Sequence, residues 1–599
     1  MSEDIFNFTV RLPAQPLTVP ASRPPPRWLG SRSAMWPVAA RECLVKHPST
    51  GDLVRLDAGE YAILEACAGV KTLAGHEATV VARFQPPLHE LPALRECLSR
   101  LAQRGLMTAV DDLVARFGPE RAATPAPAAI VVRTADRPAL LDRLLTSATA
   151  RQARSQVARA WHVIDDSRSA DARAANRAVI ASHPALRIER HGAEAFATLE
   201  SVLSTAFPDA RAEIAWLLGA DRTGQATYGR PVNYALLTLA GKRILAIDDD
   251  ALLEPRRPPL GAPRGFAVDT GNDEWFAYPS EAALEAACTP VALDPLAEHE
   301  RWLGEPLANA WAAARQRHGD ADIALDDDDA GRFSPDARIL FTQNHAVGDP
   351  GSALFPYHVL ALPPASRAHV LGEPDRQAAA FVDRHGWRGV PRFRLAPRRL
   401  LTFTTVAGLD NTRLLPPTSP VGRNEDLLLG ALGQLVHAAG WFADLPFGLP
   451  HRRASAKQWL SPGAVFRQEP LHFLLDTLRE RAASILAGEP AARMQALGGM
   501  LADVARASDV RLAAALEAHA IDTATRVIFA IRAQLDDAAL PGAWKDRLRP
   551  WLDSPAVAVD ARLPDRLASL ERVRGLAMHL SAALAVWPTL WAYQRGQCA

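Results

Sequence analysis

From Ala129 onward the chain alternates short β-rich runs with helical stretches, and this alternation restricts the fold more than any other feature. AIVVRT precedes RPALLDRLLTSATARQ, and WHVIDDS precedes RAANRAVIASH. Each pair is an apolar run of strand length followed by apolar residues at helical spacing. Strands joined through helices lie side by side in one direction, so the expected fold class is α/β with a mostly parallel sheet covered by helices. Such sheets receive ligands at the carboxyl ends of their strands. RILAIDDD is the clearest later strand, and RILFTQNH near residue 340 reads as a weaker one.

The strand ends carry charge. AIVV leads into Arg133, Thr134, Asp136 and Arg137, HVI into Asp165, Asp166 and Ser167, and RILAI into Asp248, Asp249 and Asp250. Carboxylates in such positions must be solvated or paired with cations. Alternation along an extended chain sends Asp248 and Asp250 to one side, as hard oxygen ligands suited to Mg²⁺ or Mn²⁺. The competing reading is an acidic turn or a helix start capped by Asp250, with Asp136 and Ser167 as further caps. Asp326 to Asp329 share the Asp-x-Asp spacing, but they follow only IAL and sit among loop formers, so an exposed acidic loop is expected there.

TADRP, VIDDS and AIDDD, in this order and each after a strand, resemble the family 2 glycosyltransferases and their GT-A relatives. The resemblance implies a Rossmann-like GT-A domain that moves a sugar from a UDP- or GDP-linked donor, with Mn²⁺ or Mg²⁺ as cofactor. It implies that Thr134, Asp136 and Asp165 lie around the nucleoside, with Arg137, Asp166 and Asp249 also on the donor side, and that Asp248 and Asp250 are the metal-associated pair. In VGRNEDLLLGAL, Glu425 and Asp426 open a Leu-rich helix, where acids also suit the positive end of a helix dipole. The resembled enzymes use a late Glu-Asp pair to deprotonate the acceptor. This implies Asp426 as the base of an inverting reaction, with Glu425 positioning it, although the pair lies farther from Asp250 than a compact domain needs. His451 in GLPHRR is then an implied metal ligand, or else a surface histidine in a basic loop. Arg423, Arg452 and Arg453 are candidate phosphate partners or surface charges.

At 599 residues the chain exceeds the roughly 250–300 at which one core stops growing, so several domains are expected. They are a Pro-rich arm over 1–38 containing Pro24, Pro25 and Pro26, a small module over 39–118, a Pro-Ala linker over 119–128, the α/β domain over 129–454 and a helical bundle over 455–599. In the small module LVKHPSTGDLVRL predicts a hairpin turning at Ser49-Thr50-Gly51. AGEYAILEAC predicts a helix bearing Tyr61, Ile63, Leu64 and Cys67, and LPALRECLSRLAQRGLM a helix with Leu94, Leu98 and Leu101 on one face, ending at Gly105. This order of elements resembles PqqD-like peptide-recognition domains. The resemblance implies a winged-helix-like α+β fold and a ribosomally made peptide as acceptor.

Lys+Arg and Asp+Glu are both 67, so no global field draws the chain to nucleic acid or anionic lipid. The expected partners are a nucleotide sugar and an acceptor peptide or glycan, and no nucleic acid. Five scattered cysteines and an acidic N-terminus point to a reducing cytoplasm. Gly575 to Gln594 carries no Asp, Glu, Lys or Arg, but Leu567, Leu570, Val573, Ala577, Leu580, Leu584 and Trp591 form a helical stripe, so a buried bundle helix is expected and no stable membrane span. Two other functions remain open: a binding protein with a degenerate transferase fold, and a metal-dependent nucleotidyltransferase.

Overall fold

The computed structural model describes residues 25–598 apart from 31–34, 40, 48–49, 51, 123–126, 156, 220–225, 262, 350–356, 383, 453–469 and 553–565. The chain divides into two compact units after Ala115.

The first unit contains β1 (Arg27–Gly30), β2 (Met35–Ala39), β3 (Glu42–Lys46), β4 (Leu53–Asp57), β5 (Gly69–Thr72) and β6 (Met107–Ala109), with helices Ala58–Ala66, Leu73–Phe84 and Leu91–Gln103. β1 pairs antiparallel with β5 and β6, while β2, β3 and β4 form a second sheet. β3 and β4 pair antiparallel as the expected hairpin requires, while Ser49 and Gly51 of its turn lie outside the described residues. Leu94, Cys97, Leu98 and Leu101 are buried on the third helix, which ends as expected just before Gly105 at φ +70°. Any Cβ there would also meet the His47 ring. The expected Pro-rich arm is shorter than residues 1–38, because the amides of RWLG after Pro26 pair with β5 and β6 and Leu29 enters the core. Residues 1–24 of that arm, and the middle of the Pro-Ala linker, lie outside the described residues.

The second unit is α/β. Its strands are β7 (Ala129–Thr134), β8 (Ala160–Asp165), β9 (Arg187–His191), β10 (Arg243–Asp248), β11 (Phe266–Asp269), β12 (Glu274–Ala277), β13 (Ala321–Ala324), β14 (Arg338–Gly348), β15 (Gly386–Gly389), β16 (Arg394–Ala396), β17 (Val406–Asp410) and β18 (Gly440–His451). They form one 12-stranded, mostly parallel sheet in the order β13-β11-β16-β18-β14-β17-β10-β7-β8-β9, with β15 also pairing β14 and β12 pairing β15. β10, β7, β8 and β9 are mutually parallel, and β17 enters antiparallel between β10 and β14.

RILFTQNH, expected to be the weaker strand, is the start of β14, an 11-residue strand buried almost throughout. Its parallel partner β18 was not foreseen. Pro446 reads as a strand breaker, yet it sits in a bulge between Asp444, opposite Gln343, and Gly448, opposite His345, where no ladder amide is required of it.

The unit begins before the expected linker, since Phe117 lies among the rings of Trp311, Phe333 and Trp441. The C-terminal region is helical as expected, with helices Pro470–Arg481, Pro490–Arg506, Asp509–Asp536, Gly542–Leu552 and Arg566–Cys598. It does not form a domain of its own. Leu474, Leu497, Leu580 and Trp587 share one core with Ile214, Leu236 and Leu415. Trp587 Nε1 donates to the Leu415 carbonyl at 2.7 Å and Trp591 Nε1 to Asn411 Oδ1 at 3.0 Å. An apolar helix face must be covered, and here the helices that flank the sheet cover it. One helix, spanning Ser569–Gln597, is long and apolar enough to cross a membrane by length and composition. Its stripe of Leu570, Val573, Ala577, Leu580, Leu584 and Trp591 is buried in that shared core; the Leu567 side chain lies outside the described residues.

Candidate metal and donor site

β10 stays apolar from Ile244 to Ile247 and releases three aspartates where the strand turns. Register sets Asp248 beside Arg133 of β7. The Arg133 guanidinium donates to Asp248 Oδ1 and, at 3.0 Å, to Glu425 Oε1, and it lies 4.6 Å over the Phe403 ring. The Glu-Asp pair thus reaches the end of β10 despite its distance in sequence. Asp249 turns the other way and accepts from Thr134 Oγ1 at 2.8 Å and Arg137 Nη1 at 3.1 Å. Asp250 Oδ1 lies 2.9 Å from His451 Nε2 at the end of β18. His451 Nδ1 donates to the Asp349 carbonyl, which aims Nε2 at Asp250.

Five carboxyl groups, those of Asp248, Asp249, Asp250, Glu425 and Asp426, therefore meet two guanidiniums, those of Arg133 and Arg137. Burial raises the Asp248 carboxyl above its ordinary value despite Arg133. It pushes Asp249 up to about 7 against Arg137, and Glu425 to about 7, where the Asp426 charge adds and Arg133 opposes. His451 behaves oppositely: burial disfavours its charged form, but the hydrogen bond and charge of Asp250 raise it overall. Ligand atoms of Asp248, Asp250 and His451 all lie within 4.8 Å of one another. Such a buried acidic and imidazole set is able to hold a cation, and the surplus of carboxyls gives it a charge to neutralise. A cavity of about 260 Å³ adjoins His451, lined also by Arg143, Arg256, Asp349, Arg384 and His385.

The other expected donor residues are largely engaged by the protein itself. Asp165 is enclosed: one oxygen accepts from the Ser167 amide and Asn176, the other from Arg190. Asp166 accepts from Thr227 Oγ1 at 2.6 Å and from Arg230. Asp136, at φ 56°, accepts from the amides of Arg168 and Ser169, tying the ends of β7 and β8 together. Asp426 accepts from the amides of Phe403 at 3.1 Å and Leu427 at 2.8 Å, so its carboxylate is an anchor, while Glu425 meets the cluster through Arg133. Arg423 lies over Tyr228, Arg452 pairs with Glu281 and Glu285, and Arg453 is outside the described residues. The acidic run at 326 is not a plain exposed loop, because Asp329 is buried and paired with Arg398.

No family model, curated protein or solved structure matches the chain.

Sequence reasoning missed a second buried cluster altogether. Asp444 accepts from Arg394 Nε at 2.7 Å, Arg399 Nε at 2.9 Å and Gln343 Nε2 at 2.8 Å. Asp273 pairs with both arginines, and His345 Nδ1 lies 3.9 Å from it. Although burial opposes ionisation, the Arg399 and Arg394 guanidiniums hold both carboxyls below their ordinary value. RFRLAPRRL carried a signal in its four arginines, of which Arg394 and Arg399 enter the cluster.

Proposed function

We propose that the chain is a glycosyltransferase of GT-A type, moving a sugar from a nucleoside-diphosphate donor to an acceptor hydroxyl or thiol. The observation that supports it most is the meeting of Asp248, Asp250, His451 and Glu425, drawn from three distant segments, beyond the carboxyl ends of parallel strands. Asp248, Asp250 and His451 would hold the cofactor, and two carboxylates with one imidazole suit Mn²⁺ better than Mg²⁺. Bound there, the ion supplies Lewis-acid stabilisation of the departing diphosphate. Arg137, bonded to Asp249 and partly exposed, is the guanidinium best suited to a donor phosphate. Thr134 fixes Asp249, while Asp165, Asp166 and Asp136 shape the nucleoside end from behind.

Glu425 replaces Asp426 as the acceptor's base. Burial and the Asp426 charge push its carboxyl up to about 7, a value suited to taking a proton, whereas the oxygens of Asp426 already accept backbone amides. The N-terminal unit, in this proposal a PqqD-like module, captures the acceptor peptide. β2 is exposed along its length, and Trp36 and Val38 offer apolar contact to an added strand.

Nucleotide binding tests the reading. UDP or GDP with Mn²⁺ is expected to raise the melting temperature of the wild type and not of Asp250→Asn, and a screen of donor sugars for hydrolysis then names the donor. If no nucleoside diphosphate shifts the melting temperature with either metal, the proposal falls.

A further inference from the structure

Among the described residues the sheet ends on β9, which pairs with β8. Edge strands expose unpaired backbone groups and are commonly reinforced. Their parallel register sets His162 opposite Glu189 and Ile164 opposite His191. Side chains two residues apart share a face, so His162, Glu189 and His191 converge on one side of the β8–β9 pair.

His162 Nδ1 lies 3.1 Å from His191 Nε2. Glu189 Oε2 lies 3.4 Å from His162 Nδ1, and its Oε1 3.8 Å from His191 Nε2. A tetrahedral ion with bonds of roughly 2.0–2.1 Å needs ligand atoms roughly 3.3 Å apart, close to the 3.1 Å between the two ring nitrogens, and one ligand atom from each of the three residues lies within 4.8 Å of the others. Two imidazole nitrogens at 3.1 Å share a proton unless a divalent ion stands in its place.

A second observation fixes one ring. Tyr234 Oη lies 3.1 Å from His191 Nδ1, so an Nδ1–H donated to the phenol leaves the Nε2 lone pair pointing at His162. Both histidine side chains are largely buried, and burial holds both rings below their ordinary pKa, in the neutral form that binds metal. Glu189 is the exposed member, 67% accessible, on the side where water would complete the shell. Lys242 acts against a cation at His162, and the Glu189 carboxylate offsets it.

We infer that His162, Glu189 and His191 form a second metal site, of the nitrogen-nitrogen-oxygen class that takes Zn²⁺ or Co²⁺, clamping the edge strand to β8. It stands apart from the carboxylate-rich set at Asp248, and either proposal can fail without the other.

Cobalt titration of the chelator-stripped, full-length protein tests it. Tetrahedral Co²⁺ gives visible absorption bands, expected in the wild type and in Asp250→Asn, and lost in His191→Ala. Tyr234→Phe is expected to weaken Zn²⁺ binding about 10- to 100-fold through loss of the ring's orienting partner. Glu189→Gln alters an exposed side chain without touching the core, so its weaker binding would report ligation; circular dichroism establishes folding for the histidine variant. The site is overturned if the bands persist in folded His191→Ala, if they vanish in Asp250→Asn, or if the wild type shows no bands and retains no zinc at stoichiometric concentration.

Discussion

Two clusters of buried charge lie in the same sheet and behave in opposite ways. At the end of β10 carboxyls outnumber guanidiniums, and burial lifts Asp249 and Glu425 to about 7. Around Asp444 the arginines match the acids, and Asp273 and Asp444 are held below the ordinary carboxylate range. Buried acids with their cations supplied by the chain are architecture. Buried acids short of cations are a place where something else must bring charge, whether protons or a metal ion.

The largest effect that would separate the two is in folding. Asp444→Asn, which leaves two buried arginines short of a partner, is expected to cost about 3–5 kcal/mol in urea unfolding. Asp250→Asn relieves carboxyl crowding and should cost far less. Equal losses would erase the distinction. Next, Glu425→Gln should lower transfer by about 10²- to 10⁴-fold while Mn²⁺-dependent nucleotide binding persists, as read by steady-state kinetics beside thermal shift. A smaller effect is the ligand-linked one: at a nucleotide concentration 100 times its Kd, wild type should gain about 2.7 kcal/mol that Asp250→Asn lacks.

The smallest is a displacement along pH. As the proposed base, Glu425 must be ionised to act, so transfer should rise with pH through about 7. The Asp426 charge helps raise that value, so in Asp426→Asn the rise should move to lower pH with the maximal rate largely kept. Stability runs the other way. Between pH 4.5 and about 7 the folded state keeps a proton on Glu425 that the unfolded chain releases, so this group's contribution declines as pH rises across that window. A pH–rate profile unmoved in Asp426→Asn would separate the two carboxyls and sink the assignment of Glu425.

What could be read in advance was what is written locally. AIVVRT, WHVIDDS and RILAIDDD each carry a strand and its polar end in one short run, so the parallel half of the sheet and its acids were legible. His451 and Glu425 were legible as candidates, but the arginine joining Glu425 to Asp248 acts through register between β7 and β10, which no single run displays. The other half of the sheet was hidden because β18 carries Pro446 and Pro450, and a bulge is visible only once its partner strand is known. The resemblance implies Asp426 as the base, and adjacency in sequence shows that two acids adjoin but not which one the Phe403 amide holds. The helical stripe from Leu570 to Trp591 announced an apolar face without saying that the sheet's own flanking helices would cover it.

That shared core bears on how the protein is made. Synthesis runs from N- to C-terminus, and domains commonly fold as they emerge. Here Ile214, Leu236 and Leu415 are translated well before Leu580 and Trp587, the residues that close over them. Until Arg566–Cys598 has left the ribosome, the sheet's flanking helices hold an uncovered apolar surface, and the nascent chain must be shielded through that interval or risk sticking to its neighbours.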